Sequence, residues 1–197
     1  MVVKFLKQSW LVMAAALAFG LLVAVVDGQL KDRIRQNAIE KRNRELRKLF
    51  QEYGEGCQFA EQTGKNKQGE EVTYFTATDA SGKIAGYAME HVGGGFADKI
   101  KLLIAVDANV EKIKGYAVMK SNETPGFGDK IIGDFQKEFV NCSAVKLKVE
   151  TKGTRYDPKD DIIVAITGAT ISSEAVTKIV NEAVVILRQF ISRGKSK

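Results

Sequence analysis

Thr167-Gly168-Ala169-Thr170, followed by Ile171-Ser172-Ser173, is the segment of this chain whose residue types and spacing best suit chemistry. It lies between an apolar run, Ile162 to Ile166, and the long amphipathic stretch Ser173 to Phe190. A hydroxyl residue at such a strand-to-helix passage meets unpaired backbone N–H groups and the positive end of the helix dipole, which together suit a phosphate. Gly168 permits close backbone approach and Ala169 adds little bulk. Taken alone, a Ser/Thr at such a position is usually just an ordinary N-terminal cap, and the anion site is the weaker reading. No Walker lysine accompanies the turn, so P-loop nucleotide hydrolysis has no support.

Other chemistries find fewer residues. His91 is the single histidine, in a glycine-flanked segment, and no Ser–His–Asp set can be assembled. Cys57 and Cys142 form no CxxC or His-bearing cluster, so neither zinc nor an iron–sulfur group has a ligand set. They read as two buried thiols or as a disulfide closing a long loop outside the cytoplasm.

The elements that must position the turn follow from the rest of the 197 residues. From residue 72 onward the pattern is short and β-rich: VTYFTAT, KIAGYAME, IKLLIAVD, KIKGYAVMK and VKLKVE. Two of these units repeat. Asp79-Ala80-Ser81-Gly82 leads into Lys83-Ile84-Ala85-Gly86-Tyr87-Ala88, and Asp107-Ala108-Asn109 leads into Lys112-Ile113-Lys114-Gly115-Tyr116-Ala117. Each reads as an antiparallel hairpin, giving a sheet of at least four strands. A glycine-rich loop follows each copy, Gly93-Gly94-Gly95-Phe96 and then Glu123-Thr124-Pro125-Gly126-Phe127-Gly128, and the two are placed to line one cleft. Helices are expected over Ile131 to Val140 and Ser173 to Phe190. The fold class is α+β, an antiparallel sheet built from a duplicated hairpin with helices packed on it.

A different element precedes this domain. Trp10 to Val26 is uncharged, 17 residues long, and as a helix would extend about 25 Å, near the thickness of a hydrocarbon core. It reads as a single membrane anchor over 1–27, with a cleaved signal and a buried core helix as the other readings; Ala24-Val25-Val26-Asp27 is a poor cleavage site. Residues 28–52 read as a helical stalk that packs on a partner, lies against anionic headgroups or caps the core of the folded domain, 53–197. The formal charge of +6 sits wholly in the N-terminal part: residues 1–50 carry 10 Lys/Arg and 4 Asp/Glu, while 51–197 carry 20 of each. A nucleic-acid-binding face is therefore not expected. The basic flank after the span (Lys31, Arg33, Arg35 and Lys41 onward) would by the positive-inside rule put the domain in the cytoplasm.

TGATISS, the upstream ETPGFGDKI and the duplicated KIxGYA hairpins together resemble the FMN-binding domain shared by the G subunit of the Rnf complex and the C subunit of the sodium-pumping NADH:quinone reductase. The short length favours the Rnf G type. The resemblance implies one FMN bound covalently, its phosphate esterified to Thr170 by a separate flavin transferase. Thr167, Gly168, Ala169, Ile171 and Ser172 then surround the attachment point, and Glu123, Thr124, Pro125, Gly126 and Gly128 belong to the flavin environment. Tyr87, Tyr116, Phe96 and Phe127 are candidates to flank the ring, and Glu123 to accept from a ring or ribityl donor.

The same resemblance implies electron relay within a membrane-bound, ion-translocating ferredoxin:NAD oxidoreductase, with integral and peripheral partner subunits performing the substrate chemistry. It places the flavin domain on the extracytoplasmic side of the bacterial inner membrane, against the charge rule. One departure stands out. The related proteins usually carry an aspartate three positions before the first Ser/Thr of the motif, where this chain has Val164, with Asp160 and Asp161 earlier. A non-redox anchored scaffold, and a free-standing flavin reductase or regulatory flavin domain, are the competing readings.

Overall fold

The computed structural model describes residues 2–54, 56–66, 69, 71–151 and 161–194. The chain divides into two compact units, Met1–Lys41 and Arg42–Lys197. The first is helical. Helix α1 (Val2–Leu49) is continuous, with no break at the expected passage from anchor to stalk. Gly28 alone costs the helix only about 1 kcal/mol, and the Asp27–Lys31 ion pair (2.7 Å) spans it on the next turn. The side chains of Leu11 to Val26 stand exposed, and this is the one described helix long and apolar enough to cross a membrane.

The second unit is built on an antiparallel sheet in the order β1 (Gln58–Lys65), β2 (Glu71–Thr78), β3 (Ile84–Gly94), β4 (Lys99–Asp107), β5 (Ile113–Lys120). The two repeated hairpins are β2–β3 and β4–β5, and each turn is pinned by its own aspartate. Asp79 Oδ1 accepts from the Ser81 and Lys83 N–H groups (2.9 and 3.0 Å); Asp107 Oδ1 accepts from those of Glu111 and Lys112 (2.7 and 2.9 Å). The glycine of each KIxGYA copy also has a use. A Cβ on Gly86 would strike Phe50 and the Val106 carbonyl, and one on Gly115 would stand 3.1 Å from Leu49. The repeated glycines are where the last turn of α1 lies on the sheet.

Both sheet faces are therefore covered. Leu46 and Phe50 pack on one, with Phe75, Ala77, Ala85, Ala88, Leu103, Ala105 and Ala117. The other carries the main core, where α3 (Thr170–Gly194) lays Val176, Ile179, Val180, Ala183 and Leu187 over Met89, Ile100, Leu102 and Ile104. This bears out an α+β class with a duplicated hairpin. A short parallel pair, β6 (Lys148–Glu150) with β7 (Ile162–Val164), leads into the turn before α3.

Several expectations need correction. Strand β1 is absent from the sequence-based reading because QFAEQTGK is polar; it is an edge strand turning little but Phe59 and Gly64 inward. Gly93 and Gly94 belong to β3 rather than to a loop, since a bare Gly93 leaves room for the Ile179 side chain of α3. The helix expected over Ile131 to Val140 is a 3₁₀ turn (Gly128–Ile131) and a single turn α2 (Asp134–Lys137), separated by Gly133 at φ 94°. Of VKLKVE only the last three residues form a strand.

Candidate functional site

The turn from β7 into α3 is stitched by Ser173. Its Oγ accepts from Ile166 N–H and donates to the Ala169 carbonyl, both at 3.0 Å, while Ala169 N–H closes on the Ile166 carbonyl (2.9 Å). Gly168 sits at φ 80°, the left-handed region that favours glycine. Helix α3 starts at Thr170, three residues earlier than its apolar periodicity suggests. Thr170 is half-buried, and its hydroxyl has no hydrogen-bond partner among the described residues. The locking work expected of a cap thus falls to Ser173. The first intrahelical bond runs from Ser173 N–H to the Ala169 carbonyl (3.0 Å), so the Thr170, Ile171 and Ser172 N–H groups precede it. Thr167, Gly168 and Ile171 are exposed; Ala169 and Ser172 are buried.

The second loop meets this turn directly. Phe127 N–H and Asp129 N–H both donate to the Thr124 carbonyl (3.2 and 3.3 Å), curling Thr124, Pro125 and Gly126 outward as an exposed turn with Gly126 at φ 80°. Phe127 is 54% exposed and lies against Gly168, where a Cβ would come within 3.1 Å of its ring. Glu123 does the opposite of its exposed neighbours. It is buried, with Oε1 accepting from Ala97 N–H (3.0 Å) and Oε2 from Ser172 Oγ (2.5 Å). A Cβ on Gly95 or on Gly128 would collide with that carboxyl group. The two glycine-rich loops and the TGAT turn therefore converge; the hairpin repeat predicts the meeting of the two loops but not that of the turn.

Of the aromatic candidates, Phe96 and Phe127 stand exposed at these loops, whereas Tyr87 and Tyr116 are core residues. Tyr116 donates to the Ile131 carbonyl (2.6 Å) and meets Phe139 edge-on, and burial, with Glu138 nearby, pushes its phenol well above the ordinary range. At the rim, Lys99 N–H and the Asn122 amide hold the Asp98 carboxyl below its usual value. Val164 is buried and its N–H donates to Glu138 Oε2 (3.0 Å). The Asp161 carbonyl accepts from Lys148 N–H (2.8 Å), while Asp160 lies outside the described residues.

The remaining chemistry-bearing residues lie elsewhere. His91 belongs to β3 rather than a loop and pairs with Glu182 (3.0 Å), about 18 Å along α3 from Thr170. Both line a groove of about 640 Å³ beside the C-terminal half of α3, which shares no residue with the TGAT turn. Cys57 and Cys142 are thiols not joined in a disulfide, the first half-buried and the second buried. Among the described residues no cluster of His, Cys, Asp or Glu is placed to hold a metal. Sequence reasoning missed Ala97, which contributes only a backbone N–H and leaves no signal in a side-chain pattern.

Residues 95–185 match the family model of the FMN-binding domain, a span that takes in both loops and the TGAT turn. Curated relatives are similar over much the same region. The G subunit of an ion-translocating oxidoreductase complex from Methanosarcina acetivorans is 36% identical over 114 residues, 57% of each chain. The G subunit of a Na⁺-translocating ferredoxin:NAD⁺ oxidoreductase complex from Acetobacterium woodii is 35% identical over 116 residues, covering 58% of this chain and 55% of that one. A proton-translocating counterpart from Clostridium ljungdahlii is 34% identical over 125 residues, 60% of this chain and 62% of the relative. The chain thus spans little more than half the length of the curated relatives it matches. In fold it is similar to NqrC from Shewanella oneidensis, with a TM-score of 0.55 at 21% identity over 68% of this chain and 70% of that one. The resemblance read from TGATISS, ETPGFG and the paired hairpins is borne out.

Proposed function

We propose that this chain is the flavin-carrying, membrane-anchored subunit of an ion-translocating ferredoxin:NAD oxidoreductase of the Rnf type, with one FMN esterified through its phosphate to Thr170. The observation that carries the reading is the family match over 95–185 falling on a threonine hydroxyl without a partner among the described residues, at the surface of a turn that opens a helix. The residues present fit a phosphate ester. Thr167 and Gly168 leave the approach open, Gly168 carries no side chain to block it, and the start of α3 supplies donors and a favourable dipole.

When bound, the flavin supplies one- and two-electron transfer, and a phosphoester leaves its ring chemistry intact. The chain's own residues hold and shield it. Thr170 is the point of attachment, with the Ile171 and Ser172 N–H groups available to phosphate oxygens. Thr124, Pro125, Gly126 and Gly128 shape the facing loop, and Phe127 and Phe96 offer exposed aromatic surface to a flat ring. Ferredoxin and NAD chemistry belongs to integral and peripheral partner subunits, with this chain relaying electrons between their cofactors.

Residues 1–27 act as the anchor, 28–52 as the stalk and 53–197 as the flavin domain, placed on the extracytoplasmic side where the flavin transferase acts. The names of the curated relatives favour an Rnf G role over the quinone-reductase C role, which the structural likeness supports only at the level of fold.

The test is mass analysis of protein purified from its membrane under denaturing conditions. A mass increment of FMN less water is expected on the peptide holding Thr170, absent without a flavin transferase and absent in Thr170→Val, which should fold normally. Unmodified wild-type protein, with any yellow colour washing away, sinks the proposal.

A further inference from the structure

We propose that Glu123 is a positioning residue for flavin attachment, a buried carboxylate that sets the rotation of the first turn of α3 and so turns the Thr170 hydroxyl outward. The inference rests on Thr170 being the attachment site. Its basis is the way one side chain joins three separate segments. Glu123 follows β5, its Oε1 takes the Ala97 N–H of the turn between β3 and β4, and its Oε2 takes the Ser172 hydroxyl of α3.

Helix geometry converts this contact into orientation. Successive residues of an α-helix are rotated by about 100°, so Ser172 and Thr170 point roughly 200° apart. Holding Ser172 inward, where it is buried, leaves Thr170 facing away from the carboxylate. The partner must be rigid for this to work, and Glu123 is. Gly95 and Gly128 close over it so tightly that a Cβ at either would strike the side chain. A group 6% exposed, with one donor already on each oxygen, orients the site from beneath rather than by reaching the flavin.

The experiment uses the full-length chain in detergent, with FAD and flavin transferase, and follows the rate at which the mass increment appears. Glu123→Ala leaves the Ala97 N–H and the Ser172 hydroxyl without an acceptor, and attachment should slow at least about tenfold per folded molecule. Glu123→Gln keeps an acceptor for Ala97 and a partner for Ser172, so it should stay within about threefold of wild type. Ser172→Ala should also slow attachment, and the double variant should be no slower than Glu123→Ala alone, because both changes break one connection.

Thermal unfolding run alongside separates lost orientation from lost folding. Wild-type rates in folded Glu123→Ala, or fully additive effects in the double variant, overturn the proposal. If Glu123→Ala does not fold, Ser172→Ala decides, with a wild-type rate overturning it. If wild-type protein itself gains no increment, the attachment reading fails and the positioning role is judged on hydrogen exchange instead. The peptide opening α3 should then exchange faster in Ser172→Ala than in wild type, and equal exchange overturns it.

Discussion

Gly168 and Phe127 touch: a Cβ on the glycine would stand 3.1 Å from Cδ1 of the ring, so the TGAT turn and the ETPGFG loop meet where one of them has no side chain. Gly168→Ala therefore meets two obstacles, a backbone at φ 80° and a crowded aromatic. Gly126, also at φ 80°, has open space around it and meets only the first. Urea unfolding should show Gly126→Ala losing about 1 kcal/mol and Gly168→Ala about 1–2 kcal/mol more. Equal losses would mean that the loop contact carries no energy.

The last turn of α1 should be worth as much as any core element. Phe50, the residue that follows α1, is fully buried against one face of the sheet, across both repeated hairpins and beside Phe59 and Tyr53. Phe50→Ala is expected to cost about 3–5 kcal/mol, a large fraction of the roughly 5–15 kcal/mol that holds an ordinary domain folded. Thermal unfolding of the detergent-solubilised chain checks this. A shift of only a degree or two would show that the helix end merely rests on the sheet.

Tyr116 gives a pH dependence with a definite sign. Its phenol is pushed well above the ordinary value by burial, so the folded chain holds that proton more tightly than the unfolded one. The associated stability is fully present below the unfolded value of about 10 and is lost as pH rises through the folded one. Tyr116→Phe should remove this alkaline sensitivity and cost about 1–2 kcal/mol at neutral pH by orphaning the Ile131 carbonyl. Denaturation curves at neutral and alkaline pH for both proteins measure it.

The two thiols should differ in reactivity. Cys57 is half-buried, with burial and Asp79 raising its pKa, so labelling should be slow and accelerate with pH. Cys142 is buried and its Sγ donates to the Glu138 carbonyl (2.9 Å), so it should label only on unfolding. Failure to label under denaturing, non-reducing conditions would instead indicate a disulfide.

Sequence made some of these elements legible and hid others, for reasons that differ residue by residue. The repeated KIxGYA units announce the hairpins because Asp79 and Asp107 pin their turns through neighbours two to five positions away. The amphipathic spacing from Ala175 to Leu187 announces the face α3 presents to the sheet. Strand β1 is hidden because an edge strand buries almost nothing, and the true length of β3 because a glycine there serves a contact with Ile179 rather than a turn. Glu123 is legible as a site residue only through resemblance. That its oxygens face Ala97 and Ser172, 26 and 49 positions away, depends on tertiary assembly that no local pattern encodes.

That long-range pairing bears on how the protein matures. Ser172 reaches its partner only after the C-terminal helix has docked across β3 and β4, so a nascent chain, or one cut short within α3, displays the threonine motif without the surface around it. On the proposal that Thr170 carries the flavin, loading would come after folding is complete and would mark chains that had already closed their core.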